Sequence, residues 1–430
     1  MKRDYSSPRW SMEIPDCSMP MTMDTYSRCA YNCLYCFSFF QKSHVVDGYL
    51  TGDVRSVNPQ RVIDIFEAAR NGTTLKSEIN MQFFPLIQDR RIMQWGGLAD
   101  QFDEYERKHG VTLELLQYFD RIDYPLSFST KAAWWTEDDR YMRLFARHKH
   151  NWHVKISIIT ADDGASRRME KGVPASSERI AAIKRLSAIG THVTLRLRPY
   201  IVGLSEDYEP LVRCASAAGA DSVTTEFFCM EARADAKLKA RYAAMSDIVG
   251  FNIHEFYMHN SPQSGYKRLS RAVKLPIATR MRELAHGLGM RFHSSDAHIR
   301  DLNDACNCCG VPPEWGCSCT GHIGQAVIIA RENGSVRYSD ISAQQNKYFP
   351  FLWQKANSFN TNSNKTRALF FDTTMAQWLR LKWNDLKSGS GVAKGYGGVL
   401  KPMGRDEHGD IIYRYAGDTH EEEKRTNKTK

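Results

Sequence analysis

The chain has 430 residues, 42% of them hydrophobic and 25% charged, with a formal net charge of +9. No run of about 18 apolar residues is present and the N-terminal Met-Lys-Arg-Asp-Tyr-Ser-Ser-Pro lacks an apolar leader, so neither a membrane-spanning helix nor a secretory signal is expected. Eleven cysteines in such a chain point to metal ligation in a reducing cytoplasm rather than to disulfides, and the positive excess favours a polyanionic partner.

From about residue 20 to residue 300, short apolar runs alternate with longer amphipathic ones, the rhythm of repeated βα units around a parallel sheet. The pattern predicts strands at Met21–Tyr26, Ile92–Trp95, Pro125–Thr130, His153–Ile159, His192–Arg198, Ser222–Phe228 and Met290–His293. It predicts helices at Gln60–Ala69, Thr112–Phe119, Asp138–Arg147, Ser176–Ile189, Asp207–Ala218 and Ile277–Leu288. Ser176 and Ser177 are expected to cap the fourth helix, with Glu178 in its first turn and Gly190 as its stop. Five or six units predict an α/β fold of partial TIM-barrel type, with chemistry at the C-terminal ends of the strands. The expected organisation is a barrel over residues 1–300 with an insertion at about 231–275, a cysteine-rich region over 301–350 and a basic, aromatic tail over 351–430. The last residues, Thr419 to Lys430, are almost entirely polar and read as disordered.

The densest chemical signal follows the first strand. Arg28-Cys-Ala-Tyr-Asn-Cys-Leu-Tyr-Cys-Phe37 spaces Cys29, Cys33 and Cys36 as C-x3-C-x2-C, with aromatic Tyr35 before the third thiol. Three thiolates on one loop can each hold one iron of a [4Fe-4S] cube and leave the fourth iron open. Structural zinc is the alternative, but zinc wants four ligands and this loop offers three and no histidine.

The spacing resembles that of the radical S-adenosylmethionine (SAM) superfamily. That resemblance implies a partial (β/α)6 barrel, SAM chelated at the open iron, and cleavage of SAM to a 5'-deoxyadenosyl radical. It also implies an external electron donor such as flavodoxin or ferredoxin. The likeness extends over roughly 200 residues, through Met93-Gln-Trp-Gly-Gly-Leu-Ala-Asp-Gln-Phe102, Tyr124-Pro-Leu-Ser-Phe-Ser-Thr-Lys131 and Arg196-Leu-Arg-Pro-Tyr-Ile-Val-Gly203. In this order the runs resemble the spore photoproduct lyase-like branch, also called DNA repair photolyase-like. The resemblance implies that Gly96 and Gly97 present backbone to the SAM amino group, where no Cβ intrudes. It implies that Thr130 and Lys131 end the third strand, with Lys131 toward the SAM carboxylate. Ser157 and Arg198 fall on the SAM-facing fourth and fifth strands, and Glu226 falls at the substrate-facing end of the sixth. Taken singly, Gly96-Gly97 also reads as an ordinary turn, Lys131 as a surface lysine and Ser157 as a strand hydroxyl.

One departure is informative. Where spore photoproduct lyases carry a radical-quenching cysteine after the second strand, this chain has Leu98. Cys229 is the alternative hydrogen donor, or else a buried small hydrophobe. The departure favours base modification or radical rearrangement, an isomerase-like outcome, over dimer repair.

A second nest, Cys306, Cys308, Cys309, Cys317 and Cys319, packs five thiols into fourteen residues around a Pro-Pro turn, with His322 following. An auxiliary [4Fe-4S] cluster, a structural zinc and a disulfide knot all remain open. Between Lys355 and Lys401 stand eight Lys or Arg against Asp372 and Asp385, with Trp378, Trp383 and Tyr396 interleaved. Basic groups neutralise phosphates and rings stack on bases, so this tail predicts contact with DNA; the tryptophans by themselves read equally as a helix packed into the core with its lysines in water. The expected function is therefore that of a cytoplasmic radical SAM enzyme acting on a nucleobase or base adduct in DNA. The alternatives are spore photoproduct lyase-like repair, a peptide or small-molecule modifier, and a non-catalytic iron–sulfur protein that binds nucleic acid.

Overall fold

Seven of the apolar runs pair in parallel into one curved sheet. The computed structural model describes residues 1–11, 16–39, 52–231, 234–261, 266–350, 374–389 and 391–417. Its strands are β1 (Met21–Met23), β2 (Met93–Trp95), β3 (Leu126–Thr130), β4 (Trp152–Ser157), β5 (His192–Tyr200), β6 (Ser222–Phe227) and β7 (Arg291–Ser294). They lie side by side in chain order, and a short strand, Arg9–Trp10, closes the β1 edge in antiparallel pairing. This is the expected partial barrel, six units and a seventh strand.

Between the strands run α1 (Pro59–Asn71), α2 (Val111–Arg121), α3 (Asp139–Arg147), α4 (Ser176–Ala188), α5 (Tyr208–Ala217) and α6 (Arg271–Gly287). The expected serine cap of α4 is corrected. The Glu178 carboxylate accepts from the Ala175 N–H at 2.7 Å, and Ser177 instead donates to Asp163. The sixth helix starts six residues earlier than predicted and runs through Pro276. Proline forfeits one backbone bond. Side chains of the added turn outweigh it: Arg271 grips Asp301 with two hydrogen bonds of 2.8 Å, and buried Lys274 pairs with Asp296.

Strand alternation separates two faces. On β4, Val154 and Ile156 belong to the apolar core, while His153, Lys155 and Ser157 point to the other face. That inner face is polar yet buried, so its groups bond to one another. Ser127 lies 3.0 Å from His153, His153 lies 2.7 Å from Thr194, and Thr194 lies 2.6 Å from Ser222. The barrel therefore has a polar lumen.

The C-terminal residues form a second small core. Helices α7 (Ile323–Asn333), α8 (Ser339–Tyr348) and α9 (Met375–Trp383) pack on a sheet of β8 (Ser335–Val336), β9 (Leu400–Arg405) and β10 (Ile411–Tyr415). For Trp383 it is the core reading that holds, and Tyr396 joins it. Both rings are buried in this core, and Trp383 donates to the Ile411 carbonyl at 2.7 Å. Lys355, Lys365, Arg367, Asp372 and the Thr419–Lys430 end lie outside the described residues. Among the described residues, no helix is long and apolar enough to cross a membrane.

Removing the Trp383 ring leaves a cavity and an unpaired Ile411 carbonyl. Trp383→Ala is expected to destabilise the C-terminal lobe by about 3–5 kcal/mol. Hydrogen exchange should show protection lost in α9 and β10 and kept in β3 and β4; equal loss everywhere would contradict an independent second core.

Candidate active site

The cysteine loop leaves the C-terminal end of β1 and is held from three sides. Asn32–Cys33 pairs antiparallel with Glu170–Lys171, beyond β4. The Ala30 N–H donates to the Asp103 carboxylate at 2.6 Å. From the insertion, Arg241 on the helix Ala236–Val249 donates to the Cys33 carbonyl at 2.8 Å, with its guanidinium 4.0 Å from the centre of the Phe39 ring. The insertion expected at 231–275 thus has a structural task, the clamping of this loop.

Burial pushes the Cys33 thiol up to about 12, and burial plus the Asp103 and Asp100 carboxylates push Cys29 well up. Metal uptake must therefore displace protons from these sulfurs. Three sulfurs without a histidine leave zinc one ligand short, and they match the three-thiolate holding of an iron–sulfur cube.

Asp100 ties this loop to β2 and β3. Its N–H donates to Cys29 Sγ at 2.9 Å. Its carboxylate accepts from the Thr130 hydroxyl at 2.7 Å and from the Lys131 N–H at 2.6 Å. Lys131 Nζ stands 5.7 Å from the centre of the Tyr35 ring. The Gly96-Gly97 turn is equally constrained. Gly96 sits at φ +90°, and a Cβ there would lie 2.5 Å from the Ser129 carbonyl and 2.2 Å from Gln101 Oε1. The Gln101 amide is buried, and neither of its polar atoms has a partner. An orphaned amide beside a bare backbone turn fits a polar ligand group there, as the resemblance implies for SAM.

A second run of bonds links the loop to β4 and β5. The Tyr35 hydroxyl donates to Glu170. Arg179 donates to Glu170 at 2.7 Å and to the Ser157 carbonyl at 2.6 Å, and both charged side chains are 0% exposed. The Ser157 hydroxyl accepts from Arg196 at 3.1 Å. Tyr35, Gly96, Gly97, Thr130, Lys131 and Ser157 thus come to one end of the barrel.

Arg198 pairs with Glu226, and Ser295 donates to the same Glu226 carboxylate at 2.7 Å. Glu226 lines a small cleft with Asp16, Arg268, Ser295, Asp296 and His298. Cys229 donates to the Phe227 carbonyl at 3.5 Å, and burial pushes its thiol up to about 12. Leu98 occupies the turn after β2, its N–H held by Asp24 at 2.7 Å and its carbonyl by Ser38 at 2.7 Å.

The second nest does not act as one ligand set. Cys306 and Cys319 form a disulfide, one of the three arrangements left open for the nest, and Cys308, Cys309 and Cys317 remain thiols. Cys317 packs against Met19, Ile92 and Val311, with its carbonyl accepting from the Ile92 N–H at 3.0 Å. Cys308 and Cys309 stand 3.8 Å apart, sulfur to sulfur. The Cys309 thiol bonding to it, with Arg300 alongside, holds Cys308 well below the ordinary thiol range, and the same bond holds Cys309 above it.

Sequence reasoning passed over Asp100, Gln101, Glu170, Arg179 and Arg241. The first two sit inside a run already singled out, so proximity to Gly96-Gly97 was an available signal. The others carry none in one dimension.

Breaking the Glu170–Arg179 pair strands a buried guanidinium. Glu170→Gln is expected to cost about 3–5 kcal/mol at neutral pH in urea unfolding. Burial raises the Glu170 carboxyl, but Arg179, Lys131 and Tyr35 together bring it below its ordinary value. Its contribution is therefore full above the unfolded value of about 4.3 and fades as pH falls through the lower native one. The gap between variant and parent should narrow in acid; a gap independent of pH would contradict the ion pair.

No family model matches the chain, and no curated protein does. Solved structures do. A spore photoproduct lyase complexed with dinucleoside spore photoproduct superposes with a TM-score of 0.50 at 14% identity, covering 68% of this chain and 80% of that one. Streptococcus suis SuiB bound to S-adenosylmethionine gives a TM-score of 0.42 at 13% identity, covering 66% of this chain and 52% of that one. At such identity the first likeness is one of fold: the chain has the partial barrel of the spore photoproduct lyase-like radical SAM proteins.

Proposed function

We propose, from this radical SAM fold, that the chain is an enzyme that binds a [4Fe-4S] cluster and SAM and acts on a nucleobase or base adduct in DNA. The outcome we propose is base modification or radical rearrangement. The observation that carries the reading is the convergence on Asp100. It joins a sulfur of the three-thiol loop, through the Cys29 contact, to the Thr130-Lys131 end of β3.

When bound, the cluster and SAM supply a 5'-deoxyadenosyl radical. The rest is positioning by this chain's residues. Lys131, beside the Tyr35 ring, offers a cation to the SAM carboxylate. Gly96, Gly97 and the Gln101 amide offer polar groups to the SAM amine. Ser157 and Arg196, locked through Arg179, form the floor. Arg198 and Glu226 hold each other on the substrate side, close to Cys229. A base in duplex must be extruded to reach this site.

The DNA reading is supported by the net charge of +9 and by the cations Arg196, Arg198 and Arg268 on or beside the inner strands. Leu98 supports rearrangement over repair, since an apolar side chain there cannot return a hydrogen atom. Cys229, protonated at neutral pH, is the proposed donor where one is needed.

The test is anaerobic reconstitution followed by 5'-deoxyadenosine release under reducing conditions. Release is expected to rise with DNA, with deuterium from a labelled base appearing in the nucleoside or returned to product. Stimulation by a peptide or metabolite and not by DNA would overturn the substrate class. Cys33→Ala is expected to abolish release; cleavage retained by that variant would falsify the assignment of the loop. Lys131→Ala removes a charge-assisted bond of about 1.5–3 kcal/mol, so SAM binding by equilibrium dialysis should weaken roughly 10- to 100-fold.

A further inference from the structure

We infer that Cys17, Cys308 and Cys309 hold a second iron–sulfur cluster inside the barrel, with His322 as its fourth protein ligand. Cys17 is not part of the C-terminal nest in sequence. The fold delivers it there. Arg300 donates to the Asp16 carbonyl at 3.3 Å, and Tyr396 of the C-terminal lobe bonds to the Asp16 carboxylate. The Cys319 N–H donates to the Ser18 carbonyl at 3.0 Å, and the Ser18 hydroxyl lies 3.9 Å from Cys308 Sγ. Cys17, Cys309 and Cys317 pack against the same small apolar group of Met19, Ile92 and Val311.

The nest is pressed into the lumen. The Thr224 hydroxyl donates to the Cys308 carbonyl at 2.7 Å. Gly310 sits at φ +81°, where a Cβ would lie 2.3 Å from Thr194 Oγ1 and 2.6 Å from Ser222 Oγ. Only glycine permits that approach to β5 and β6.

One buried cation and one histidine at this place lack what they need. Lys155, 1% exposed, bonds to the neutral Gln94 and Ser127. A buried charge is costly without an anion, and thiolate ligands at Cys308 and Cys309 would supply one to Lys155. Arg300, also 1% exposed, bonds to the carbonyls of Asp16 and Ser295 and stands beside the Asp16 carboxylate and Cys308. His322, 1% exposed, lies beside Arg300, and neither ring nitrogen makes a hydrogen bond. An unpaired buried imidazole facing thiolates is a ready ligand.

Cys308 and Cys309 stand 3.8 Å apart, sulfur to sulfur. Thiolate donors suit iron–sulfur clusters as they suit zinc, and iron and sulfide content distinguishes the two. Cys306 and Cys319 are excluded as ligands by their bond to each other.

The test removes the first site, so it is independent of the function proposed above. The full chain carrying Cys29→Ala, Cys33→Ala and Cys36→Ala is reconstituted anaerobically with iron and sulfide. About four irons and four sulfides per chain are expected, with a cluster signal in Mössbauer spectra. Adding Cys17→Ala or His322→Ala should cut iron to less than half. Replacing Cys306 and Cys319 together by serine should leave it in place. Circular dichroism melting, with exposed Cys214→Ser as the folded control, separates ligand loss from unfolding. No iron in the triple variant, zinc in its place, unchanged iron without Cys17 or His322, or iron lost with the Cys306/Cys319 pair would each overturn the ligand set.

Discussion

The site depends on one buried ion pair, Glu170 with Arg179. Neither side chain is exposed, so the pair carries a large desolvation cost. It is tolerated because its groups are used several times over. Glu170 accepts from Tyr35, Ser166 and Arg179, and Arg179 donates onward to Ser157. The cysteine loop, the segment after β4 and the end of β4 are thereby one rigid unit. A hydrophobic replacement could fill the volume, but it could not fix Tyr35 relative to Ser157. The pair's worth lies in position more than in stability.

A second constraint is the polar lumen. Period-2 alternation places apolar side chains toward the helices and polar ones inward, and inward groups must satisfy one another or a ligand. On the wall formed by Ser127, His153, Thr194 and Ser222 they satisfy one another. Around Arg300 and His322 they do not, and near the three-thiol loop the orphan is the Gln101 amide. These stand on segments next to the cysteines, while other unpartnered atoms, such as Ser56 Oγ, Asn151 Oδ1 and Thr191 Oγ1, lie elsewhere in the interior.

The periphery serves the same two places. The insertion contributes Arg241 to the cysteine loop, and the C-terminal lobe contributes Tyr396 to the segment before Cys17. Aromatic and basic residues of the tail that suggest a nucleic-acid surface in sequence are partly consumed in this scaffolding. Trp383 and Tyr396 pack inside a core, as amphipathic rings commonly do where a backbone acceptor is in reach.

Local chemistry determined much by itself. The alternation of apolar runs set the strands and their order, because burial on a parallel sheet demands continuous apolar segments. The C-x3-C-x2-C spacing marked the first thiol site, because its ligands lie within one loop. Gly96-Gly97 and Thr130-Lys131 were legible for the same reason. Tertiary structure alone decided whatever joins distant segments. It paired Cys306 with Cys319 and brought the Cys17–Ser18 segment across nearly 300 residues to Cys308 and Cys309. It also placed Glu170 against Tyr35 and Arg179 against Ser157. A spacing can announce ligands that share a loop. Ligands and ion pairs assembled across a barrel have no spacing to read, since only the closing of the sheet makes them neighbours.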